Sequence, residues 1–563
     1  MAARPWLAHY DPDVPRSLNY SSETLLDYLK RHASERPDRT ALIFKGRRIS
    51  WRGLDDLSEA AAAGLVSLGV RRGDRVALIL PTCPQWVIGQ FAIWKAGGVV
   101  AALNPIYTEH ELGGLLRTFG ARFAIALTRV YDRVKAVQSG TALEAVIATN
   151  IKEYLPPHLA LLFTLFKEKR EGHRIDLKPG DHWLKDLLGR FAGQRLTPVA
   201  LSPEDDAILL ASGGTTGTPK GVVGQHKVYV NAGTQLDAWT KSSFDSGRDV
   251  VLLPLPLCHV YANVGGLGLG VVSGSPLALV PNPRDLADVL RTIHTVRPAF
   301  MMGVPTLFQA MLNNPDVEKG RVDFSSLKVS FSGAAALMAA TKTRFEALTG
   351  GRIIEGYSLT EGMMACLVNP MKGVAKLGSI GLPLPDVNIA IVDTETGMRT
   401  LGPNEEGELI VSAPQLMKGY WLNGEETAAA LRRREDGSLW LHTGDVGYMD
   451  EDGYVFLTDR KKDLIKTSGY QVWPREVEEV ISSHPAVAEA GVAGVPDELK
   501  GEAVKAWVVL RAGQQVTDEE LRRFCREKLS PFKVPATFEF RGELPKSLIG
   551  KILRRELVRQ HVS

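Results

Sequence analysis

The ten-residue segment Ser212 to Gly221, SGGTTGTPKG, has a composition suited to binding an anion. It contains four glycines, three threonines and one lysine, and it follows an apolar run at 207–211 that predicts a buried strand. Glycines let successive backbone N–H groups point toward one phosphate, and hydroxyl and ammonium groups add donors and charge. The segment therefore predicts a loop for nucleotide phosphates. It is not the common P-loop, because Gly221 stands where that motif needs Ser or Thr.

Three further polar clusters also follow predicted strands. They are SGAA at 332–335, EGYSLTE at 355–361 and HTGD at 442–445. Each cluster alone could be a helix cap or a tight turn. Together, at the carboxyl edge of a parallel sheet, they could form a ligand site. Tyr357 offers a ring face for a base, Glu361 a hard oxygen for Mg²⁺, and Asp445 two acceptors for a ribose diol.

The order of predicted elements gives the fold class. Helices at 54–68 and 86–95 alternate with apolar strands at 75–80 and 99–103, which predicts an α/β fold of helix-covered, mainly parallel sheets. An insertion with a loop at 176–183 interrupts this order between about 145 and 200. After Gly378 the short runs NIAIVD, GELIVS and GYVFLTD predict a small barrel-like β subdomain at about 378–459.

The last hundred residues predict a small α+β domain. Pro474 stands at the start of an amphipathic helix, and Thr517 with Glu520 forms a capping box for a second one. The charged segment at 458–463 is a plausible hinge. We therefore expect a large domain at 1–461 and a small one at 462–563, with the hinge near Lys462.

The composition is that of an ordinary globular protein. The chain of 563 residues has 67 basic and 64 acidic side chains, so no strongly basic surface for nucleic acid is expected. The four cysteines lack the spacing of a disulfide framework or a zinc motif. The sequence shows no secretory signal and no apolar run of about 20 residues, so we expect a cytoplasmic protein. We also expect a monomer or a homodimer.

One apolar segment allows two interpretations. LPPHLALLFTLF at 155–166 is short and is followed by the basic KEKR at 167–170. Such a segment either packs as a helix against the core or lies on a lipid surface. We expect packing, with peripheral contact to the inner face of a membrane as the alternative.

Five motifs in a fixed order resemble one enzyme superfamily. SGGTTGTPKG, EGYSLTEG, WLHTGDVGYMDEDGY, DRKKDLIKTSGYQVWPREVE and LPKSLIGKILRREL resemble the adenylate-forming acyl/aryl-CoA synthetases, and within them bacterial long-chain fatty acid–CoA ligases most. The resemblance implies that ATP, with Mg²⁺, activates a fatty acid to acyl-AMP and pyrophosphate. The thiol of CoA then takes the acyl group and releases AMP.

The resemblance also implies roles for individual residues. The phosphate contacts would be Ser212, Gly213, Gly214, Thr215, Thr216, Gly217 and Lys220, of which Thr215 and Lys220 are catalytic. The contacts to the base, the α-phosphate and the ribose would be Gly333, Ala334, Ala335, Glu355, Gly356, Tyr357, Ser358, Thr360, Glu361, Asp445 and Arg460, with Glu361 also catalytic and the metal ligand. The last domain would be mobile and would rotate about a hinge at Lys462. In it, Lys462, Lys466 and Gln471 would contact the nucleotide and Ser468 and Gly469 would contact CoA. The catalytic Lys551 would contact the carboxylate and the α-phosphate. Two positions depart from the pattern, Ser358 where glycine is common and Arg284 where some relatives carry a lysine for CoA.

The acyl group is expected to bind beside PLCHVYANVGGLGLG at 256–270. The pocket residues by this resemblance would be His259, Val260, Gly265, Gly303 and Met363. The glycines would leave space and the methionine adaptable apolar surface, which suits an alkyl chain. No acidic residue follows His259 in this segment to pair with a substrate ammonium, so an amino acid is disfavoured.

Three alternatives stay open at this point. An aryl-CoA ligase and a fatty-acyl-AMP ligase that loads a carrier protein share the same adenylation step. A membrane-associated acyl-binding scaffold without catalysis is the alternative from another class.

Overall fold

A computed structural model describes residues 4–212, 220–335, 337–460, 463–467, 470–497, 501–546 and 552–562. Two mainly parallel sheets form most of its first part. The first contains β3 Arg75–Ile79, β4 Val99–Leu103, β5 Phe123–Leu127, β6 Ala145–Thr149, β7 His182–Trp183, β8 Asp206–Ser212, β9 Lys220–Gln225 and β19 Gly419–Tyr420, in the order β19-β9-β8-β4-β3-β5-β6-β7. Strands β3 to β8 are parallel, and β9 and β19 continue the sheet antiparallel.

The second sheet is parallel in its centre and antiparallel at both edges. It contains β1 Thr40–Phe44, β2 Arg47–Ser50, β10 Val251–Leu253, β11 Leu277–Leu279, β12 Phe300–Gly303, β13 Val329–Ser332, β14 Arg352–Leu359, β15 Met364–Val368 and β16 Leu382–Pro383. Its order is β16-β15-β14-β13-β12-β10-β11-β1-β2. The predicted α/β class with mainly parallel sheets is confirmed.

Helices pack on these sheets and on each other. They are α1 Leu25–Glu35, α2 Trp51–Ser67, α3 Pro84–Lys95, α4 Glu109–Phe119, α5 Tyr131–Gln138, α6 Pro157–Phe166, α7 Leu184–Arg190, α8 His226–Thr240, α9 Gly268–Ser273, α10 Leu286–Val296, α11 Pro305–Leu312, α12 Pro315–Glu318 and α13 Ala339–Thr349. A π-helical segment, Tyr261–Leu267, leads directly into α9. Helices α2 and α3 fall where the apolar periodicity predicted them.

The predicted insertion begins later than expected. Strand β6 pairs in parallel with β5, so residues 145–149 still belong to the sheet. Strand β7 lies inside the predicted loop at 176–183 and pairs with β6. The reason is that residues 145–149, AVIAT, form a short, fully buried apolar strand. So short an apolar run has too little periodicity to be recognised as a strand of the sheet from the sequence alone.

The expected packing of the apolar segment at 155–166 is found on only one side of the helix. Helix α6 forms there, but Phe163 is its only buried side chain. Leu161, Leu162, Leu165 and Phe166 are exposed. Among the described residues, no helix combines the length and apolarity that a membrane span requires.

A smaller antiparallel sheet follows, as the sequence predicted. Its strands are β17 Asn388–Val392, β18 Gly407–Ser412, β20 Leu431–Arg433, β21 Leu439–Met449 and β22 Val455–Arg460, with helix α14 Gly424–Ala430 beside them. The central pair is β18 with β21, which carries the HTGD cluster.

The C-terminal part has a sheet and a core of its own. It contains β23 Ile465–Thr467, β24 Tyr470–Val472, β25 Val487–Asp497, β26 Gly501–Leu510 and β27 Thr537–Phe540, with α15 Pro474–Ser482, α16 Asp518–Arg526 and α17 Arg554–Val562. Val477 and Ile481 of α15 and Leu521 and Cys525 of α16 pack in this separate core. The predicted Pro474 helix start and the Thr517–Glu520 capping box are both confirmed.

Candidate active site

Polar clusters from neighbouring parallel strands meet at one sheet edge. Gly303, Ser332 and Glu355 lie side by side in the register of β12, β13 and β14. The loop that begins at Gly333 leaves the sheet at this edge. The carboxyl ends of parallel strands share one edge, and this is where open α/β sheets bind ligands.

The loop after β13 is fixed on these strand ends. Ala334 has φ 70°, a left-handed conformation that is uncommon for a residue other than glycine and is found at functional sites. The backbone N–H of Gly333 donates to the carbonyl of Gly303 at 3.2 Å, and that of Leu337 to Glu355 Oε1 at 2.9 Å. Burial raises the pKa of Glu355. One Glu355 oxygen therefore anchors the loop that the sequence assigned to the base.

Tyr357 and Asp445 are brought together from different sheets. Tyr357 lies on β14 and its hydroxyl donates to Asp445 Oδ2 on β21 at 2.5 Å. Both side chains are buried. Asp445 faces Arg460 in the β21–β22 register. The ring expected for the base and the carboxylate expected for the ribose are thus adjacent.

The turn before Asp445 explains its position. Gly444 has φ 70°, where a side chain would be strained, and its N–H donates to Glu408 Oε1 at 3.0 Å. The Thr443 hydroxyl donates to the Leu409 carbonyl and accepts from the N–H of Asp445 at 3.0 Å. Glu408, a buried carboxylate in the apolar strand GELIVS, was missed by the sequence analysis. The one indication of its role in the sequence is an acidic residue within an otherwise apolar strand.

Lys220 lies at the end of the site where the sequence predicts the phosphates. It opens β9 opposite Ser212, the last residue of β8. Its ammonium lies 2.6 Å from Glu426 Oε2 and 5.0 Å from the centre of the Tyr420 ring. The predicted loop residues Gly213, Gly214, Thr215, Thr216 and Gly217 lie outside the described residues.

A short segment at 417–421 joins this end to Glu361. The Tyr420 hydroxyl donates to Glu361 Oε1 at 3.0 Å, and burial together with the Glu361 charge raises the pKa of Tyr420. The N–H of Met417 donates to the Glu361 carbonyl, and that of Trp421 to the Gly221 carbonyl. One tyrosine therefore contacts both the predicted phosphate lysine and the predicted metal ligand. Tyr420 and Glu426 carried no signal in the sequence, because the contact of Tyr420 depends on the approach of two sheets and that of Glu426 on the approach of α14 to β9.

The remaining predicted nucleotide residues fall into two groups. Gly356, Ser358 and Thr360 lie on or directly after β14 and are half-buried. Arg460 ends β22, and Lys466 pairs with Gln471 in the β23–β24 hairpin, so the backbone places all three in strands, whereas their side chains lie outside the description. Lys462, Ser468, Gly469 and Lys551 lie outside the described residues altogether.

The predicted acyl segment is anchored by a buried polar network. His259 and Val260 precede the π-helical segment, a geometry often found at functional sites. Asn263 in that segment accepts a hydrogen bond from Tyr229 at 2.6 Å and donates to Gln90 and to the Leu257 carbonyl. Burial lowers the pKa of His259, so the imidazole is neutral at physiological pH.

The glycines of this region do not leave the open space that we expected. A Cβ at Gly265 would lie 2.3 Å from Met364 Sδ, and one at Gly303 would lie 2.5 Å from the Phe308 ring. Neighbouring side chains therefore already fill the volume beside both glycines. Met363 packs against Gly224 of β9, so Met364 rather than Met363 faces Gly265.

Comparison with known proteins agrees with this geometry. The model of the AMP-binding enzyme family matches residues 29–421, and that of the AMP-binding enzyme C-terminal domain matches 476–551. Long-chain-fatty-acid–CoA ligases of Bacillus subtilis and Salmonella typhimurium are 40% and 37% identical, over 99% and 98% of this chain and 98% and 97% of theirs. Rice 4-coumarate–CoA ligase 2 is 33% identical over 97% of this chain and 93% of its own.

Solved structures give the same result for the fold. ATP-bound MatB from Rhodopseudomonas palustris superposes with a TM-score of 0.82 at 26% identity, covering 95% of this chain and 99% of its own. The anthranilate–CoA ligase AuaEII in complex with anthranoyl-AMP superposes with a TM-score of 0.80 at 27% identity, covering 98% of both chains. From the strand-end clusters, the family models and these relatives, the chain belongs to the AMP-binding enzyme family of adenylate-forming enzymes.

Proposed function

We propose that this enzyme activates a medium- or long-chain fatty acid with ATP and transfers the acyl group to CoA. The products are acyl-CoA, AMP and pyrophosphate. The observation that carries the proposal is a pair of contacts made by the two ends of one short segment, residues 357–361. Tyr357 contacts Asp445, and Glu361 contacts Tyr420, whose ring lies beside Lys220. The first group suits the base and ribose, and the second suits the α-phosphate and the outer phosphates.

Each side chain has a physical task in this arrangement. The Tyr357 ring offers an apolar face for adenine, and the Asp445 carboxylate accepts hydrogen bonds from the ribose hydroxyls. Lys220 closely follows the other predicted phosphate-binding residues in the sequence and would exchange its contact with Glu426 for a phosphate oxygen. A charge-assisted contact of this kind is favourable because the site is partly shielded from water.

Glu361 fits the role of a Mg²⁺ ligand. Mg²⁺ is commonly bound by one or two carboxylates together with substrate phosphates and waters. Glu361 supplies a carboxylate near the predicted phosphate lysine, because Tyr420 contacts both residues. Tyr420 fixes one Glu361 oxygen. The ion would neutralise phosphate charge when bound.

The reaction follows two displacements. In the first, a carboxylate oxygen of the fatty acid bonds to the α-phosphorus of ATP, and the bond from that phosphorus to the bridging oxygen of pyrophosphate breaks. In the second, the CoA sulfur bonds to the acyl carbon, the carbon–oxygen bond to AMP breaks, and the thiol proton is released. We assign Lys551 to the first step, where its ammonium would neutralise the charge that develops between carboxylate and α-phosphate.

The same proposal gives the C-terminal domain its task. Residues 462–563 would rotate about Lys462 between the two displacements, because Lys551 and the CoA thiol need the same space in turn. Arg460, Lys466 and Gln471 would hold AMP during this change, and Ser468 and Gly469 would lie beside the thiol. Lys551→Ala should then abolish acyl-AMP formation and leave thioester formation from supplied acyl-AMP largely intact. Equal loss of both steps would contradict this division.

The acyl chain would enter between the π-helical segment and Met364. Because Met364 fills the space beside Gly265, the chain must displace a thioether, which is flexible enough to move. A neutral His259 would border the acyl carboxyl group without pairing to it. The fatty-acid assignment is supported by the names of the Bacillus and Salmonella relatives, whereas the names of the rice ligase and AuaEII support an aromatic acid as the second candidate.

A panel of acids tests the proposed function. The enzyme is incubated with ATP, Mg²⁺, CoA and either alkanoic acids of increasing length or 4-coumarate and benzoate, and AMP and pyrophosphate are quantified. We expect the highest kcat/KM for a medium- or long-chain alkanoic acid. Preference for an aromatic acid would change the substrate class, and ADP with inorganic phosphate would refute the mechanism. Replacing CoA by a carrier protein with its pantetheine arm identifies the acceptor.

A further inference from the structure

Helix α6 and the residues after it form an exposed surface that the proposed chemistry does not use. We define the α6 surface as the apolar side chains and the cations that follow them, Leu161, Leu162, Leu165, Phe166, Lys167, Lys169, Arg170 and Arg174. The four apolar side chains expose 61%, 48%, 65% and 68% of their area. Scattered exposed apolar residues are common, but a contiguous group of this size marks an interaction site.

The inner side of α6 is firmly attached, so its outer side has a defined orientation. Phe163 is buried with its ring centre 5.2 Å from that of His173. Glu168, directly after the helix, is buried and accepts from Lys152 Nζ at 2.6 Å and from Asn150 Nδ2 at 3.0 Å. These contacts hold the helix on the body and leave the leucines and Phe166 facing outward.

Positive charge is concentrated beside the apolar side chains. Lys167, Lys169, Arg170 and Arg174 are all exposed. Glu171 lies 3.7 Å from Lys167 and 3.9 Å from Arg170, and Glu168 is already paired with Lys152. A surplus of positive charge therefore borders the apolar group, and apolar side chains next to Lys and Arg are the combination that binds an anionic lipid surface.

We propose that the α6 surface docks this protein on an anionic lipid bilayer. The ten residues of α6 span about 15 Å, which is too short to cross a bilayer, so the helix lies in the interface plane. Its leucines and Phe166 enter the boundary between headgroups and acyl chains, and the cations contact lipid phosphates. Binding to lipid needs neither ATP nor an acid, so this inference stands independently of the proposed function.

Flotation of the full chain with lipid vesicles tests the docking. The wild type is expected to float with vesicles of equal parts phosphatidylglycerol and phosphatidylcholine, less at high salt, and only weakly with phosphatidylcholine alone. The triple variant Leu161→Gln, Leu165→Gln, Phe166→Gln should lose at least about tenfold in partitioning. The variant Lys167→Gln, Lys169→Gln, Arg170→Gln should lose the preference for the anionic vesicles, by about fivefold for each removed charge.

A matched control separates this surface from general hydrophobicity. Val374, Leu377 and Met398 expose 67%, 67% and 63% of their area on other parts of the chain. The triple variant Val374→Gln, Leu377→Gln, Met398→Gln should float like the wild type. Unchanged thermal midpoints establish that all variants are folded.

A site-specific probe reads the position of the helix directly. An environment-sensitive fluorophore on Leu162→Cys should shift its emission to the blue when anionic vesicles are added, and the same label on Met398→Cys should not. The proposal is overturned if the wild type ignores anionic vesicles, if the α6 triple variant binds them equally well, or if the label at 162 keeps its aqueous emission. Conversion of a dimer to a monomer by the α6 variant, without vesicle binding by the wild type, would assign the surface to a second copy instead.

Discussion

Two tyrosine hydroxyls hold two carboxylates in the candidate site, and their surroundings differ. Tyr357 donates to Asp445 in a buried position that the Gly444 turn already fixes. Tyr420 donates to the half-buried Glu361 beside Lys220, whose ammonium is held by Glu426. Under the proposed function, the end that would hold the base and ribose is thus assembled in advance, whereas the end that would hold the phosphates must exchange an internal ion pair for the ligand. AMP and ATP distinguish the two ends, because AMP lacks the outer phosphates.

Among the substitutions that separate the two ends, the largest effect is expected from Glu361→Gln. The rate of acyl-AMP formation should fall by about 100-fold, because a charge that acts at the α-phosphate is lost from a shielded site. The Kd of adenosine, which carries no phosphate, should stay within about twofold of the wild type in calorimetry, since the base and ribose end is intact. A parallel loss of adenosine binding would mean that the two ends are one unit.

Asp445→Ala should instead weaken nucleotide binding at the base and ribose end. It removes a buried charged acceptor, and hydrogen bonds to such a group contribute about 1.5–3 kcal/mol, so the Kd of AMP should rise about 10- to 100-fold. Asp445→Asn keeps one acceptor oxygen and should lose less. AMP affinity unchanged in the alanine variant would remove Asp445 from the ribose site.

The two tyrosines form a matched pair of substitutions. Tyr357→Phe and Tyr420→Phe each delete one hydrogen bond worth about 1 kcal/mol, or about fivefold. Tyr357→Phe should raise the Kd of AMP, measured by calorimetry. Tyr420→Phe should leave the Kd of AMP unchanged, but it should raise the Mg²⁺ concentration at which ATP binding reaches half of its maximum. The same changes in AMP affinity and in Mg²⁺ requirement for both variants would show that the two ends do not differ in this way.

Glu426→Gln should have the smallest effect and in the favourable direction. Removing the acid that holds Lys220 should lower the Kd of ATP by up to about fivefold, since a partly exposed ion pair contributes about 0–1 kcal/mol. The gain should shrink at high salt, and AMP affinity should not change. Glu425→Gln, on the same helix and with the same loss of charge, is the control. Weaker ATP binding in Glu426→Gln would show that the acid supports the site rather than competing for its lysine.

The parts of this site that follow from local rules were predictable from the sequence. Parallel strands bring their carboxyl ends together, so the clusters at 332–335 and 355–361 could be assigned to one edge before any coordinates. Tyr420, Glu426 and Glu408 could not be found this way, because each acts through a partner that is distant in the chain. Glu408 contacts Gly444 only because β18 and β21 pair.

Two apolar segments elsewhere in the fold also show what the sequence alone could not predict. Residues 261–273 and 157–166 are both strongly apolar, yet most of the first is buried and most of the second is exposed. Glycines such as Gly265 and Gly270 allow neighbouring side chains within a distance that a Cβ would forbid, whereas the leucines of α6 have no such close fit. Apolar composition alone therefore did not predict burial.

The central claim is that a carboxylate oxygen of the fatty acid attacks the α-phosphorus of ATP. Transfer of an oxygen isotope from the acid to AMP tests this claim most directly. A fatty acid labelled with ¹⁸O in its carboxyl group is converted with ATP, Mg²⁺ and CoA, and the phosphorus products are analysed by mass spectrometry. If the carboxylate bonds to the α-phosphorus, AMP receives one labelled oxygen and pyrophosphate receives none. Label in inorganic phosphate together with ADP, or unlabelled AMP, would contradict the account.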